Sequence, residues 1–250
     1  MAESTGVRRR LGRREYALFG LGGAALSGIG DALILGRSCS GHDFDHATGV
    51  VPAHLNPQRR WRSLFNGVTL DRHRIQVGTL VGVVGIGILQ QLGLRGIAST
   101  IEPQVPRRLA TVSAAAFAVT GAATHLCCGS VILAYQRASE TQVEPHHSAR
   151  PSPRSATALL AVSATGALTS LAVFSSSQTI ASLRRQSHAP TSTLVVTPLL
   201  CVMSTLLTLG VLPAPVGGWA RPASMSIGLM AYFAVTATSA ECRASTAAES

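Results

Sequence analysis

The sequence predicts an all-α integral membrane protein, a bundle of about six transmembrane helices with short loops and one longer loop after the first helix. Three observations predict it. Charged residues make up 13% of the 250 residues, about half of the ~25% carried by a typical soluble domain. The charges are clumped, between Arg8 and Arg14, from Arg37 to Arg74 and in short patches further on, instead of being interleaved along amphipathic helices. Between the clumps run apolar stretches near the ~20 residues that a spanning helix requires.

Taken in order, the predicted spans are 16–36, 75–98, 109–136, 155–183, 192–212 and 222–240. A basic segment, 1–15, precedes the first, and its five Arg place the N-terminus in the cytoplasm. The first apolar run is too long for the core of a signal peptide and has no small-residue cleavage site after it, so it is read as a retained helix. Six spans return the C-terminus to the cytoplasm, although the first loop, external on this reading, also carries six Arg. Trp61, Leu64 and Phe65 beside Arg59, Arg60 and Arg62 suggest a short interfacial helix in that loop. Ser175, Ser176, Ser177 and Gln178 make the fourth span the most polar. In the fifth, Pro198 removes a backbone donor and is expected to kink the helix near its start. The last segment, 241–250, is expected to be a disordered tail.

Composition also excludes functions. The formal charge of +10 invites a nucleic-acid reading. The basic residues lie instead at the ends of apolar segments, with no basic helix face, and no nucleic-acid partner is expected. All 21 basic residues are Arg, so Schiff-base lysine chemistry is excluded. Of the five Cys, Cys127, Cys128 and Cys201 fall inside apolar segments as small packing groups, and no disulfide framework is expected.

Candidate functional residues follow from what a bilayer tolerates. Of eleven acidic residues only Asp31 lies well within a predicted span, and of eight His only His125 does. A charge inside the membrane is costly, and its presence there points to function. Asp31 lies 15 and His125 16 residues beyond the start of its predicted span, about 23–24 Å of helical rise. The first and third spans run the same way, so the two should share one depth. Both project from small-residue stripes: Ser27 and Gly28 near Asp31, Gly121, Ala122, Cys128 and Gly129 near His125. Such stripes face other helices in preference to lipid. Two uses remain open, a hydrogen-bonded clasp between helices and a catalytic or binding pair. Gln90, Gln91, Arg74, Thr124, Phe117 and Tyr232 are the candidate substrate-binding groups around them. His42, Asp43, Asp45 and His46 would ligate a divalent metal only together with other groups, and no complete ligand set at known spacing accompanies them. A solvated loop is expected there, with no metal and no cofactor.

Gly30-Asp31, then Ser40-Gly41-His42-Asp43-Phe44, then Arg74 with Gly78 and Gly82, and finally His125 together resemble a family of small bacterial six-helix membrane proteins catalogued as a domain of unknown function. In that family a Gly-Asp ends the first helix, a Ser-Gly-x-(Asp/Glu)-Phe-like stretch follows, and a His lies in a later helix. The resemblance covers roughly the first 140 residues. It implies the fold, marks the polar residues that matter and supplies no activity. It also implies a bacterial cytoplasmic membrane as the location.

In size and topology the chain also resembles the compact membrane terpene cyclases, which are similar in length, helix count and scarcity of intramembrane acids. That resemblance implies acid-initiated cyclisation of an isoprenoid. Asp31 would protonate an alkene or epoxide inside an apolar cavity, and His125 would orient it or take up the final proton. The low aromatic content, 4%, departs from that pattern, since rings stabilise carbocations. The partner expected is therefore a membrane lipid or isoprenoid-type small molecule, with homo-oligomerisation left open. A small proton-coupled transporter and a non-enzymatic accessory membrane protein are the alternatives.

Overall fold

A computed structural model describes residues 11–35, 72–102, 104–140, 153–184, 196–210, 220 and 223–248. Six helices are described: α1 (Arg13–Leu35), α2 (Arg72–Ser99), α3 (Gln104–Glu140), α4 (Pro153–Leu183), α5 (Pro198–Gly210) and α6 (Ser224–Ala248). There is no strand among the described residues. Four helical stretches are long and apolar enough to cross a membrane: Arg13–Leu35, Arg72–Ser99, Gln104–Leu133 and Ala158–Leu183. The apolar parts of α5 and α6, Pro198–Leu209 and Ser224–Ala240, are shorter. The interfacial helix expected around Trp61 lies outside the described residues.

Helix α1 packs against both α2 and α6, and α3 lies along α4 while also touching α2. Small residues set the first of these pairings. Gly20, Gly23, Ser27 and Gly30 form the buried stripe of α1, and Gly78, Gly82 and Gly85 answer it from α2. At Gly30 the approach is backbone to backbone: a Cβ there would stand 2.7 Å from Gly78 O and 2.9 Å from Gly82 N. Within lipid, apolar burial gives helices little reason to associate, and close packing of this kind supplies it. The opposite faces carry large exposed apolar groups, among them Leu18 and Ile29 on α1 and Leu80 and Ile88 on α2. That division suits helices solvated by hydrocarbon.

Helix α2 is interrupted by a π-turn from Gly85 to Gln90. Its wider winding admits an extra residue per turn, a feature often found at functional sites. Here Gln90 emerges into the α1 interface, only 1% exposed.

Two expectations need correction. Pro198 does not kink α5; it begins it. The first turn of a helix has no partner for the missing N–H, so Pro is tolerated there. Thr197 precedes it and accepts from Leu200 N at 3.3 Å, while Ser175 of α4 accepts from Leu199 N at 3.1 Å. The polar run in α4 therefore caps the next helix. Its Gln178 ties α4 to α6, donating from Nε2 to Tyr232 Oη at 2.6 Å. Replacing Ser175 by Ala should cost about 1–2 kcal/mol, read as a lower unfolding midpoint in detergent; an unchanged midpoint would count against the inter-helix cap. The second correction concerns the tail, because α6 continues helically to Ala248.

Candidate functional site

Helix α1 brings Asp31 to the α3 side of the bundle, where His125 meets it. His125 Nε2 stands 3.1 Å from Asp31 Oδ1, with the side chains 8% and 17% exposed. The contact is close, but the ring nitrogen lacks the alignment of a full hydrogen bond to the carboxylate. The ring is seated on bare backbone: a Cβ at Gly82 would fall within the His125 imidazole. Gly82 thus does more than admit α1, since it leaves the space that the imidazole fills.

The other carboxylate oxygen is held from α6. Ser226 Oγ donates to Asp31 Oδ2 at 2.8 Å. Behind it, Ser27 Oγ lies 3.0 Å from Ser226 Oγ, and Gln90 Nε2 donates to Ser27 Oγ at 2.7 Å. Ser27, Gln90 and Ser226 are all buried. The carboxylate is accordingly approached by an imidazole on one oxygen and by a hydroxyl chain on the other.

Asp31, His125, Ser226, Thr124 and Cys128 form the polar end of a cavity of about 270 Å³. Its walls are otherwise apolar, built from Ile34, Ile86, Phe117, Leu160, Ala164 and Ala167. Five helices contribute: α1, α2, α3, α4 and α6. Such a space accepts an apolar molecule and presents one reactive corner to it.

The structure joins Asp31 and His125 and puts Phe117 and Thr124 on the cavity wall. The remaining candidates stand elsewhere. Gln90 reaches Asp31 only through Ser27 and Ser226. Gln91 is half-buried and off the cavity wall. Arg74 donates to Ala32 O at 2.9 Å, next in the chain to Asp31, and does not line the cavity either. Tyr232 is buried in the main apolar core on its bond to Gln178, so its hydroxyl is occupied away from the cavity. His42, Asp43, Asp45 and His46 lie outside the described residues. Among the described residues no group of three His, Cys, Asp or Glu could hold a metal ion, and Cys127, Cys128 and Cys201 are free thiols.

Ser226 is the site residue that sequence reading missed. A serine in an apolar helix usually bonds back to its own helix, as Ser170 and Ser177 do here. Nothing local distinguishes one that bonds to a carboxylate 195 positions away.

Fold and site together define a helical bundle of strongly apolar helices around an acid–histidine pair. A family model, described as a family of unknown function (DUF6796), matches residues 11–242, and the chain belongs to that family. The match runs well past the first 140 residues on which the resemblance rests. Comparisons with curated proteins and with solved structures gave no match.

Proposed function

We propose that the protein is an integral membrane enzyme, with α5 and α6 completing a six-helix membrane bundle, that performs acid–base chemistry on a hydrophobic substrate. One observation carries the reading: an acid–histidine pair stands at the polar end of an otherwise apolar cavity. The most concrete form is cyclisation of a short isoprenoid. The volume of about 270 Å³ is nearly twice the ~150 Å³ that accepts benzene, which favours a short chain over a long lipid tail.

In this reading Asp31 delivers its proton to a terminal alkene carbon. The tertiary cation so formed is attacked by a second alkene of the same chain, closing a carbon–carbon bond. A neighbouring carbon then loses a proton to His125 or to the Asp31 carboxylate, and a new alkene results. The product is an isomer of the substrate, the proton is returned, and no oxidant, reductant or co-substrate is consumed. Apolar walls keep water from trapping the cation. Phe117 is the one aromatic side chain on the described cavity wall, and cation–π contact with its ring suits a single ring closure better than a long cascade.

The test is incubation of the protein in lipid nanodiscs with linear isoprenoids of two or three units in deuterated water. The expected product has the substrate's formula with one hydrogen replaced by deuterium on carbon. An isomerised product without deuterium overturns protonation by a solvent-exchanged acid. Uptake of a solute into proteoliposomes driven by a pH gradient, with no isomer formed, would replace the enzyme by a proton-coupled carrier.

A further inference from the structure

We propose that Ser226, Ser27 and Gln90 form a reversible hydrogen-bond chain that keeps Asp31 bonded both with and without its proton. This rests on Asp31 being a proton-exchanging group, and it does not depend on which substrate receives the proton. The argument is a count of hydrogens. A serine hydroxyl has one hydrogen to give and two lone pairs with which to accept. All three residues are buried, Ser27 at 0%, Gln90 at 1% and Ser226 at 4% exposure, so solvent does not supply missing partners.

With Asp31 ionised, the chain runs towards it. Gln90 Nε2 donates to Ser27 Oγ at 2.7 Å, Ser27 to Ser226 Oγ at 3.0 Å, and Ser226 to Asp31 Oδ2 at 2.8 Å. With Asp31 protonated on Oδ2, the same atoms serve in reverse. Asp31 donates to Ser226, Ser226 donates to Ser27, and Ser27 turns its hydrogen to Ala24 O. That second acceptor is already in place, 3.0 Å from Ser27 Oγ, the same distance as the first. Gln90 keeps its bond to Ser27 in both states, because the Ser27 oxygen can accept twice. Two hydroxyl rotations complete the change and no heavy atom has to move. Neither state leaves a serine or carboxyl hydrogen of the chain unpaired, which in this interior would be costly.

A helix clasp requires only the first arrangement. The waiting acceptor at Ala24 and the amide that holds the Ser27 oxygen from behind are what a proton-exchanging carboxyl requires. The titratable groups facing this end are His125 and Cys128 from α3. Arg74 from α2 bonds to Ala32 beside it. From α4 and α6 the cavity residues are Leu160, Ala164, Ala167, Met225 and Ser226, none of which titrates.

Infrared difference spectroscopy between acidic and alkaline buffer, in nanodiscs without substrate, reads the carbonyl band of the protonated Asp31, assigned by its loss in Asp31→Asn. A carboxyl whose hydrogen is donated absorbs at lower frequency than one whose hydrogen is free, so the band should rise in Ser226→Ala. In Ser27→Ala the Ser226 hydroxyl loses its onward acceptor, which weakens its hold on the Asp31 hydrogen, so the band should rise there too, by less. A band unmoved in Ser226→Ala overturns the reversible chain, as does one unmoved in an assembled Ser27→Ala, or the absence of any carboxyl band that Asp31→Asn removes. Should Ser27→Ala not assemble, Ser226→Ala alone decides. Because no substrate is present, failure of the cyclisation reading leaves these outcomes intact, and the converse also holds.

Discussion

Asp31→Asn should lower turnover by about 10²- to 10⁴-fold, the range lost when a positioned general acid is removed, while leaving the bundle assembled. The amide has the shape of the carboxyl. Its oxygen can still accept from Ser226, and its NH₂ can face His125 Nε2, so both partners that the carboxylate holds at 2.8 Å and 3.1 Å keep a contact. What it lacks is a proton acidic enough to transfer. Product formed per mole of protein, compared alongside the detergent unfolding midpoint, separates chemistry from structure. Full turnover in the variant sinks the acid role of Asp31. A variant that fails to assemble identifies the pair as a clasp between α1, α3 and α6.

Gly30→Val should destabilise the bundle by about 3 kcal/mol or more, at or beyond the upper end of ordinary overpacking costs. The nearest neighbours of a Cβ at this position are Gly78 O at 2.7 Å, Gly82 N at 2.9 Å and Gly82 Cα at 3.0 Å, all of them backbone. A flexible side chain could swing aside; two helix backbones can only separate. Separation would also withdraw Gly82 from beneath the His125 ring, so loss of the site should accompany loss of stability. The unfolding midpoint in detergent reads the first effect, and the infrared carbonyl band of Asp31 reads the second. A variant as stable as the parent would show that α1 and α2 do not approach this closely.

The helices were legible in the sequence because hydrocarbon demands long uncharged runs, and four of those runs reappear as helices of spanning length. The apolar run around Pro198 begins several residues before the helix does, so the sequence places the proline inside the helix; at the true start the same proline is favourable. Asp31 and His125 stood out because the membrane excludes most ionisable groups, and their matching depth followed from helical rise alone. The serines did not stand out, since a hydroxyl in an apolar helix can always satisfy itself on its own backbone, and Ser27 retains that option through Ala24. The pair Gln90-Gln91 could not be divided by sequence either. Which of them enters the α1 interface is set by the π-turn ending at Gln90, and glycines near it permit such a turn without requiring it. Tyr232, a candidate in the sequence, is drawn into the core by its partner Gln178.

The place of Asp31 along α1 has a consequence for sidedness. The residue lies four positions before the end of the helix at Leu35, about 6 Å of rise. His125 lies eight positions before the end of the apolar part of α3 at Leu133, about 12 Å. In a hydrocarbon layer about 30 Å thick, both residues belong to the half nearest the face on which α1 ends. On the proposed mechanism their protons would be exchanged with one aqueous compartment, while the apolar partner would come from the hydrocarbon. In vesicles with different acidity inside and outside, the rate should follow the compartment bordering that face and ignore the other.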